Sequence, residues 1–271
     1  MDYRKQEEIA FHDMLRVDHF AQRWSLELEK IIKNNPLWVN MKYYSVERRS
    51  RFCTLNWLAN HAKDKIVLDY CCGNGEDAIF TAKSRAKKVV GIDISSVSID
   101  NCKKKALSED VEKTTSFYVM DGERMEFDDN YFDIINEYGV LHHLDLQRAY
   151  LELARILKSN GKIICTETLG HNPIIHLYRK RTPHLRTEWE TVHILKKRHI
   201  FMAYDYFNKV EVLGFFHLAT LTAVPFRNIP FIFNPLLNVM EFMDSLILKL
   251  PLIKWQAWQV VFVLSNPKKA A

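Results

Sequence analysis

The stretch Lys65-Ile-Val-Leu-Asp69-Tyr-Cys-Cys-Gly73-Asn-Gly75 decides the predicted fold of this chain. It begins as a short apolar run that ends in an acid, and it continues into a turn with two glycines before a helical pattern starts at Glu76. Glycines let a backbone turn tightly and approach a ligand closely. The N-terminus of the following helix presents free N–H groups, which suit a carboxylate or a phosphate. The stretch therefore predicts a strand, a ligand-binding turn and a helix.

The alternation of strand and helix continues along the chain. The predicted strands are residues 65–70, 88–93, 115–120, 132–136, 162–167, 216–223 and 258–264. Such alternation implies parallel strands with helices on both faces of a sheet. We therefore predict an α/β fold, with a doubly wound, Rossmann-like sheet of seven mostly parallel strands and helical caps.

Four segments follow from this pattern. Residues 1–62 are predicted as an N-terminal helical cap, with helices over 4–34 and 45–61, and residues 63–170 as the ligand-binding core. Residues 171–203 are a polar, basic and aromatic insertion that is expected to cap the substrate. Residues 204–271 are predicted to supply a helix near 204–213 that ends at Gly214, the remaining strands, and a helical insertion at 225–257.

The composition favours a globular chain without a large basic surface. The 271 residues include 38 basic and 33 acidic residues, a net charge of +5, and the small basic clusters suit either solvated helix faces or an anionic partner. Five cysteines without a C-x-x-C pair, and no signal peptide, predict reduced thiols and a cytoplasmic location. Charges and prolines interrupt the apolar region 224–264, so no transmembrane helix is predicted. Peripheral contact with lipid and the oligomeric state are left open.

Polar side chains end four successive predicted strands. Asp69, Asp93 and Asp121 close the first three, and Asn136 with Glu137 closes the fourth. Ligands of open α/β sheets bind at the carboxyl ends of the strands, where an acid after the second strand holds ribose hydroxyls. Asp121 is placed to accept from an exocyclic amine. Each acid alone is equally well explained as a helix cap or turn former, but the whole set in register predicts a nucleoside site.

These residues resemble the motifs of class I S-adenosylmethionine-dependent methyltransferases. The glycine-rich first motif of that family resembles Val67–Gly75, and its second motif resembles Val90–Ser95. The stretch Met120–Asp133 is similar to the family's adenine-contacting segment, and Val140–Leu144 is similar to a motif of its small-molecule subgroup. The resemblance covers residues 65–169 well and the last two strands loosely. It departs at Cys71, where the family has its first glycine, which tightens the steric limits of the turn.

The resemblance implies that the chain binds S-adenosylmethionine and releases S-adenosylhomocysteine. Asp69 would organise the amino group, Gly73 and Gly75 would flank the methionine part, and Asn136 would face it. Asp93 would hold the ribose and Asp121 the adenine amine, while Glu123 would lend backbone contacts and keep its side chain solvated. The complete set implied for the cofactor is Asp69, Cys71, Gly73, Gly75, Asp93, Ile94, Asp121, Gly122, Glu123 and Asn136.

His142 and His143 follow the fourth predicted strand, where the resemblance places the methyl group. Histidine has a pKa that suits a general base for an acceptor hydroxyl. His143 is the preferred candidate and His142 the second, and structural roles remain the alternative for both. His12 is a further candidate that would close over the cofactor from the N-terminal cap. The eleven histidines show no standard metal-ligand spacing, so no metal is predicted.

The insertion 171–203 supplies candidate acceptor-binding residues: His171, Arg179 and Arg186. Arginines in this place would clamp a carboxylate or phosphate, and a solvent-exposed basic loop is the alternative. The preferred function is methyl transfer to oxygen or nitrogen of a small molecule that is partly hydrophobic and anionic. An RNA or protein methyltransferase is the second hypothesis; nucleic acid is not expected as a partner, because no basic stripe with interleaved aromatics is present. A non-catalytic cofactor-binding partner protein is the third.

Overall fold

A computed structural model describes residues 2–16, 25–32 and 36–269 of the chain. Its helices are α1 (Tyr3–Arg16), α2 (Leu26–Ile32), α3 (Arg48–His61), α4 (Glu76–Lys83), α5 (Ser96–Ser108), α6 (Leu146–Ile156), α7 (Pro173–Arg181), α8 (Glu188–His193), α9 (Lys197–Met202) and α10 (Pro230–Ile247). Its strands are β1 (Ile66–Tyr70), β2 (Lys88–Asp93), β3 (Thr115–Val119), β4 (Phe132–Tyr138), β5 (Leu157–Thr168), β6 (Phe207–Phe216) and β7 (Gln259–Pro267). Short 3-10 helices connect several of these elements, and the longest spans Pro36–Val46.

The seven strands form one sheet in the order β3-β2-β1-β4-β5-β7-β6. The first five strands are parallel to their neighbours, and β7 is antiparallel to both β5 and β6. The chain reverses its direction of growth between β1 and β4, and this switch point opens a crevice at the carboxyl ends of the strands. The predicted fold class is confirmed.

Both faces of the sheet are buried. Along β1, Val67 packs into one apolar cluster with Leu58 and Ile99, and the next residue, Leu68, packs into the other with Tyr150. Successive side chains of a strand point to opposite faces, so a central parallel strand covered by helices on both sides is apolar throughout. The continuous apolar runs in the sequence have this origin.

One region differs from its prediction. The helix expected near 204–213 and the strand expected at 216–223 are wrong, because β6 occupies Phe207–Phe216 and a 3-10 helix occupies Thr220–Phe226. Charged and β-branched residues alternate at 209–212, which is the two-residue period of a strand. Gly214 lies at a bulge in the β6–β7 pairing and does not end a helix.

The N-terminal helix predicted over 4–34 is present as α1 and α2, and residues 17–24 and 33–34 of that prediction lie outside the described residues. The helix predicted from residue 45 begins at Arg48, since the chain first completes the 3-10 helix Pro36–Val46. The segment boundaries at 62, 170 and 203 stay predictions. In the part of the chain that the structure describes, every helix falls short of the length and apolar character that a bilayer crossing needs.

Candidate active site

A cavity of about 930 Å³ opens at the carboxyl ends of the strands. Most of the predicted site residues line it: Asp69, Cys71, Asp93, Ile94, Asp121, Gly122, Glu123, His142, His143, Arg179 and Arg186. Gly73, Gly75 and Asn136 lie behind its wall, and His171 is not part of the lining. We call this space the central cavity.

The glycine-rich turn forms one wall of the central cavity. Gly73 and Gly75 have positive φ angles of 53° and 74°. A Cβ on Gly75 would lie 2.8 Å from the Cys102 sulfur, so no side chain fits there. Cys71 also has a positive φ, 52°, a conformation that costs a non-glycine residue about 1–2 kcal/mol. The substitution of the family's first glycine by cysteine therefore keeps the shape of the turn with some strain.

Asp69 and Asn136 form a buried polar pair at the switch point. The Asn136 side-chain amide donates to Asp69 Oδ1 over 2.8 Å. Asp69 Oδ2 and Asn136 Oδ1 are buried, and neither accepts a hydrogen bond from any described residue. Burial raises the pKa of Asp69 to about 7. Two unpaired buried acceptors call for a donor from a ligand, because such atoms are normally hydrogen-bonded.

The acids after β2 and β3 are held in position by backbone donors. Asp93 accepts from the backbone N–H groups of Gly73 and Ser95, each at 2.9 Å. Asp121 Oδ1 accepts from the Glu123 N–H at 2.9 Å. The three acids Asp69, Asp93 and Asp121 thus reach one edge of the sheet, around one cavity, as the sequence predicted.

Helix α1 covers this acidic edge with cations. Arg4 Nη2 lies 2.6 Å from Glu123 Oε1, Lys5 Nζ lies 2.5 Å from Asp121 Oδ2, and Arg16 Nη1 lies 3.5 Å from Asp93 Oδ2. The expectation that the Glu123 side chain is solvated is wrong, because Glu123 is buried against Arg4 and Lys5.

This role of α1 was not predicted from the sequence. The signal was a polar stripe at the helical spacing of four, Arg4, Glu8, His12 and Arg16. In the structure Arg4 and Glu8 are the buried residues of α1.

The predicted base His143 belongs to a cluster that also includes Glu8 and His12. His143 Nδ1 lies 3.1 Å from Glu8 Oε2, and His12 Nε2 lies 3.3 Å from the same oxygen. Thr187 donates to the other Glu8 oxygen. Burial opposes a charge on His143, but the hydrogen bond to Glu8 raises its pKa above the ordinary value. Burial dominates at His12 and lowers its pKa.

The same three side chains could also meet on a metal ion, since their ligand atoms lie within 4.8 Å of one another. Two imidazoles and a carboxylate are typical ligands of zinc or iron. This grouping was not predicted from the sequence, because Glu8 and His12 are far from His143 along the chain.

His142 is oriented by a second carboxylate. Its Nδ1 lies 2.8 Å from Glu167 Oε2, and Glu167 is fully buried at the end of β5. Burial opposes the charge of Glu167, but His142 lowers its pKa below the usual range. Burial and the neighbouring Glu167 raise the pKa of Glu137 well above its ordinary value. Glu137 accepts from the backbone N–H of Val140 and Glu167 from that of Leu141, so the pair fixes the loop that carries both histidines.

Two arginines of the insertion line the central cavity in different states. Arg186 Nε lies 3.2 Å from Glu190 Oε1, so its charge is paired. Arg179 is buried, donates to the carbonyl of Leu169 over 3.2 Å, and forms no ion pair with a described residue. Burial lowers the pKa of Arg179 to about 10, which leaves it charged at neutral pH.

His171 lies apart from the central cavity. Its Nε2 accepts from the Lys197 backbone N–H at 2.8 Å, and its ring contacts Trp255 at a shallow depression on the surface. The structure therefore does not bring His171 together with the other predicted acceptor-binding residues, and we leave it out of the acceptor site.

Aromatic residues form the wall of the central cavity that faces α10. The rings of Tyr44 and Trp258 lie 5.8 Å apart, and those of Tyr43 and Tyr178 lie 5.3 Å apart. Ile175 and Leu221 extend this wall. The cavity thus combines an acidic edge, two histidine–carboxylate pairs, a buried guanidinium and an apolar wall.

Comparison with known proteins identifies the class of the core. Residues 68–165 match a family model described as a methyltransferase domain. The resemblance to S-adenosylmethionine-dependent methyltransferases inferred from the sequence is confirmed for these residues.

Two curated relatives show the extent of the similarity. Demethylmenaquinone methyltransferase of Lactococcus lactis subsp. lactis is 29% identical over 117 residues, 42% of this chain and 45% of that protein. The 27-O-demethylrifamycin SV methyltransferase of Amycolatopsis mediterranei is 32% identical over 98 residues, 36% of each chain. The matched segment spans less than half the length of these relatives.

Solved structures extend the similarity in fold to the whole chain. Geranyl diphosphate C-methyltransferase from Streptomyces coelicolor A3(2) superposes with a TM-score of 0.63 at 11% identity and covers 99% of both chains. The cyclase SpnF superposes with a TM-score of 0.53 at 17% identity, covering 80% of this chain and 81% of that one.

Proposed function

We propose that this chain is an S-adenosylmethionine-dependent methyltransferase that acts on a small molecule with an apolar part and an anionic group. The observation that carries the proposal is the central cavity, which the acidic edge of the sheet, an aromatic wall and His143 all line. Its volume of about 930 Å³ favours a small acceptor over a nucleic acid or a protein.

The residues of the acidic edge fit the donor. Asp69 Oδ2 is a buried acceptor without a partner among the described residues, and an ammonium group beside it would supply the missing donor. Asp93 would hold the ribose, and Asp121 with Gly122 and Glu123 would hold the adenine. When bound, the donor supplies an electrophilic methyl group on a sulfonium centre. The protein then has mainly to align the acceptor for in-line attack and to exclude water.

His143 is proposed as the general base. Glu8 holds its Nδ1, which leaves Nε2 to take the proton of an acceptor hydroxyl. Loss of that proton activates the oxygen of a phenol or enol and also the adjacent carbon. The base is therefore compatible with transfer to oxygen, as the name 27-O-demethylrifamycin SV methyltransferase states for that relative, and with transfer to the ring carbon of a quinol. His142 is proposed as a positioning residue, because its Nδ1 is hydrogen-bonded to the buried Glu167.

Arg179 is proposed to hold the anionic group of the acceptor. A buried guanidinium that has no carboxylate partner among the described residues is costly unless an anion completes it. Arg186 is already ion-paired with Glu190, so we propose that it supports Arg179 and does not itself pair with the acceptor.

The test has two stages. Calorimetry with S-adenosylhomocysteine should detect binding, and Asp93→Ala should abolish it. Transfer of a labelled methyl group should then be measured over a panel of alkylated phenols and quinols, each with and without a carboxylate. Donor binding with no transfer to any member would favour a non-catalytic role or an activity other than methyl transfer. The absence of donor binding to folded protein would refute the proposal.

A further inference from the structure

Helix α10 exposes its apolar side to solvent. Phe231, Phe242 and Leu252 are 79%, 64% and 86% exposed. The exposed apolar residues of this helix and of the segment after it are Phe231, Ile232, Val239, Phe242, Met243, Leu246, Leu250, Leu252 and Ile253. We call them the α10 surface. Within the helix, Val239, Phe242, Met243 and Leu246 recur at the spacing that places them on one side. A continuous apolar face of this kind marks an interaction site.

The acids near the α10 surface are paired or buried, so its unpaired charges are positive. Between residues 218 and 258 the only acids are Glu241 and Asp244. Glu241 is paired with Arg48, and Asp244 is buried, where it accepts from the backbone N–H groups of residues 218–220. Arg227 is paired with Glu29, whereas Lys249 and Lys254 have no acidic partner among the described residues. The unpaired charges of residues 218–258 in the described part of the chain are therefore positive.

Helix α7 adds to the same side of the molecule. Asn172, the N-cap of α7, donates to the carbonyl of Gln256 over 2.9 Å, and Ile175 packs against the apolar cluster that includes Phe233 and Leu237 of α10. Lys180 and Arg181, in the last turn of α7, are exposed and lack an acidic partner among the described residues.

The α10 surface adjoins the acceptor end of the central cavity. On the inner side of α10, Phe233 and Leu237 pack into a cluster with Trp258, which lines the cavity. Ile174 lines the cavity and is also 78% exposed, so the mouth of the cavity opens beside α7.

We propose that the α10 surface docks on the face of an anionic phospholipid bilayer. Apolar side chains on one side of a helix, with cations around them, suit insertion into the headgroup region. A second copy of the chain would complement the apolar residues but would bring unmatched cations together, whereas anionic headgroups complement both. If the proposed function also holds, the acceptor is an amphiphile that enters the cavity from the bilayer at Ile174.

The experiment is co-sedimentation of the full chain with phosphatidylcholine vesicles, with and without phosphatidylglycerol. Wild-type protein should sediment with the anionic vesicles and lose most of that binding in high salt. The double variant Phe242→Asp with Leu246→Asp should reduce the partition coefficient at least tenfold. Leu107→Asp with Leu151→Asp is the matched control, because these leucines are 66% and 59% exposed on α5 and α6, outside the α10 surface. Thermal unfolding checks that each variant is folded.

Three outcomes would overturn the proposal. The first is equal sedimentation of the double variant and the wild type. The second is equal binding of the wild type to neutral and anionic vesicles, a comparison that requires no variant. The third is no vesicle binding together with a dimer in light scattering that the double variant disperses. Vesicle binding by folded protein that does not bind S-adenosylhomocysteine would refute the proposed function and leave this inference standing.

Discussion

Replacing Asp69 by Asn should stabilise the protein at pH 8 while it weakens binding of the donor. Burial raises the pKa of Asp69 from its ordinary value of 3.8 to about 7. A group whose pKa is raised on folding stabilises the fold at low pH, and this contribution is lost as the pH rises through the folded value. Relative to a carboxyl whose pKa does not change on folding, Asp69 then lowers the free energy of unfolding by on the order of 4 kcal/mol at pH 8 and on the order of 2 kcal/mol at pH 5. Asn does not ionise, so the variant lacks this dependence of the free energy of unfolding on pH.

The assay is urea unfolding of both proteins between pH 5 and pH 8, without ligand. The free energy of unfolding of Asp69→Asn, relative to wild type, should increase by about 2–3 kcal/mol across this range. Calorimetry should show binding of S-adenosylhomocysteine weakened roughly tenfold to a hundredfold, as expected for a lost charged hydrogen bond. A relative stability that does not change with pH would refute the argument from burial.

Asp133→Asn is the control for Asp69→Asn. Burial opposes the charge of Asp133, but Lys158 and the Ile66 N–H lower its pKa. A lowered pKa stabilises the fold above the unfolded value, and this contribution is lost as the pH falls through the folded value. Asp133→Asn should therefore destabilise the protein at pH 8 and destabilise it less in acid. Its effect on the free energy of unfolding at pH 8 is opposite in sign to that of Asp69→Asn.

Further predictions concern the base, the turn, the anion site and the cluster. His143→Ala should lower turnover of a phenolic acceptor about 10²–10⁴-fold with little change in donor affinity, and unchanged turnover would exclude the base. Glu8→Gln should shift the acid limb of the rate profile to lower pH, since Glu8 raises the pKa of His143. Gly75→Ala should cost more than the roughly 1–2 kcal/mol due to its positive φ, because the new Cβ would also clash with Cys102; thermal unfolding measures this, and donor binding should weaken. Arg179→Met should raise KM roughly tenfold or more for anionic acceptors but not for neutral analogues, and an equal effect on both would contradict the anion site. Dialysis against a chelator should leave turnover unchanged, and a loss restored by zinc would assign the His143 cluster to a metal.

The core and its acidic edge could be predicted because their signals are local. The strand that ends at Asp69 has a continuous apolar run, and the turn after it needs backbone angles that glycine adopts readily. Parallel strands bring their carboxyl ends to one edge, so the meeting of Asp69, Asp93 and Asp121 follows from the alternation of elements.

The rest depends on contacts between distant parts of the chain. Nothing in the sequence near Glu8 states that it meets His143 and Thr187, because the packing of α1 on the finished sheet decides this. The prediction at 204–223 failed because Gly214 resembles a helix stop, and the strand period before it was overlooked. The separate position of His171 depends on the path of the whole insertion.

One helix holds contacts with both ends of the central cavity. Through Lys5 and Arg16, α1 is tied to the edge proposed for the donor, and through Glu8 it is tied to His143 and Thr187 beside the acceptor. A rigid helix cannot shift its contacts at one end of the cavity without straining its contacts at the other. We therefore expect the residence times of the methylated product and of S-adenosylhomocysteine to be linked. A variant that weakens the contact between Glu8 and Thr187 should increase the dissociation rate of S-adenosylhomocysteine from the donor edge.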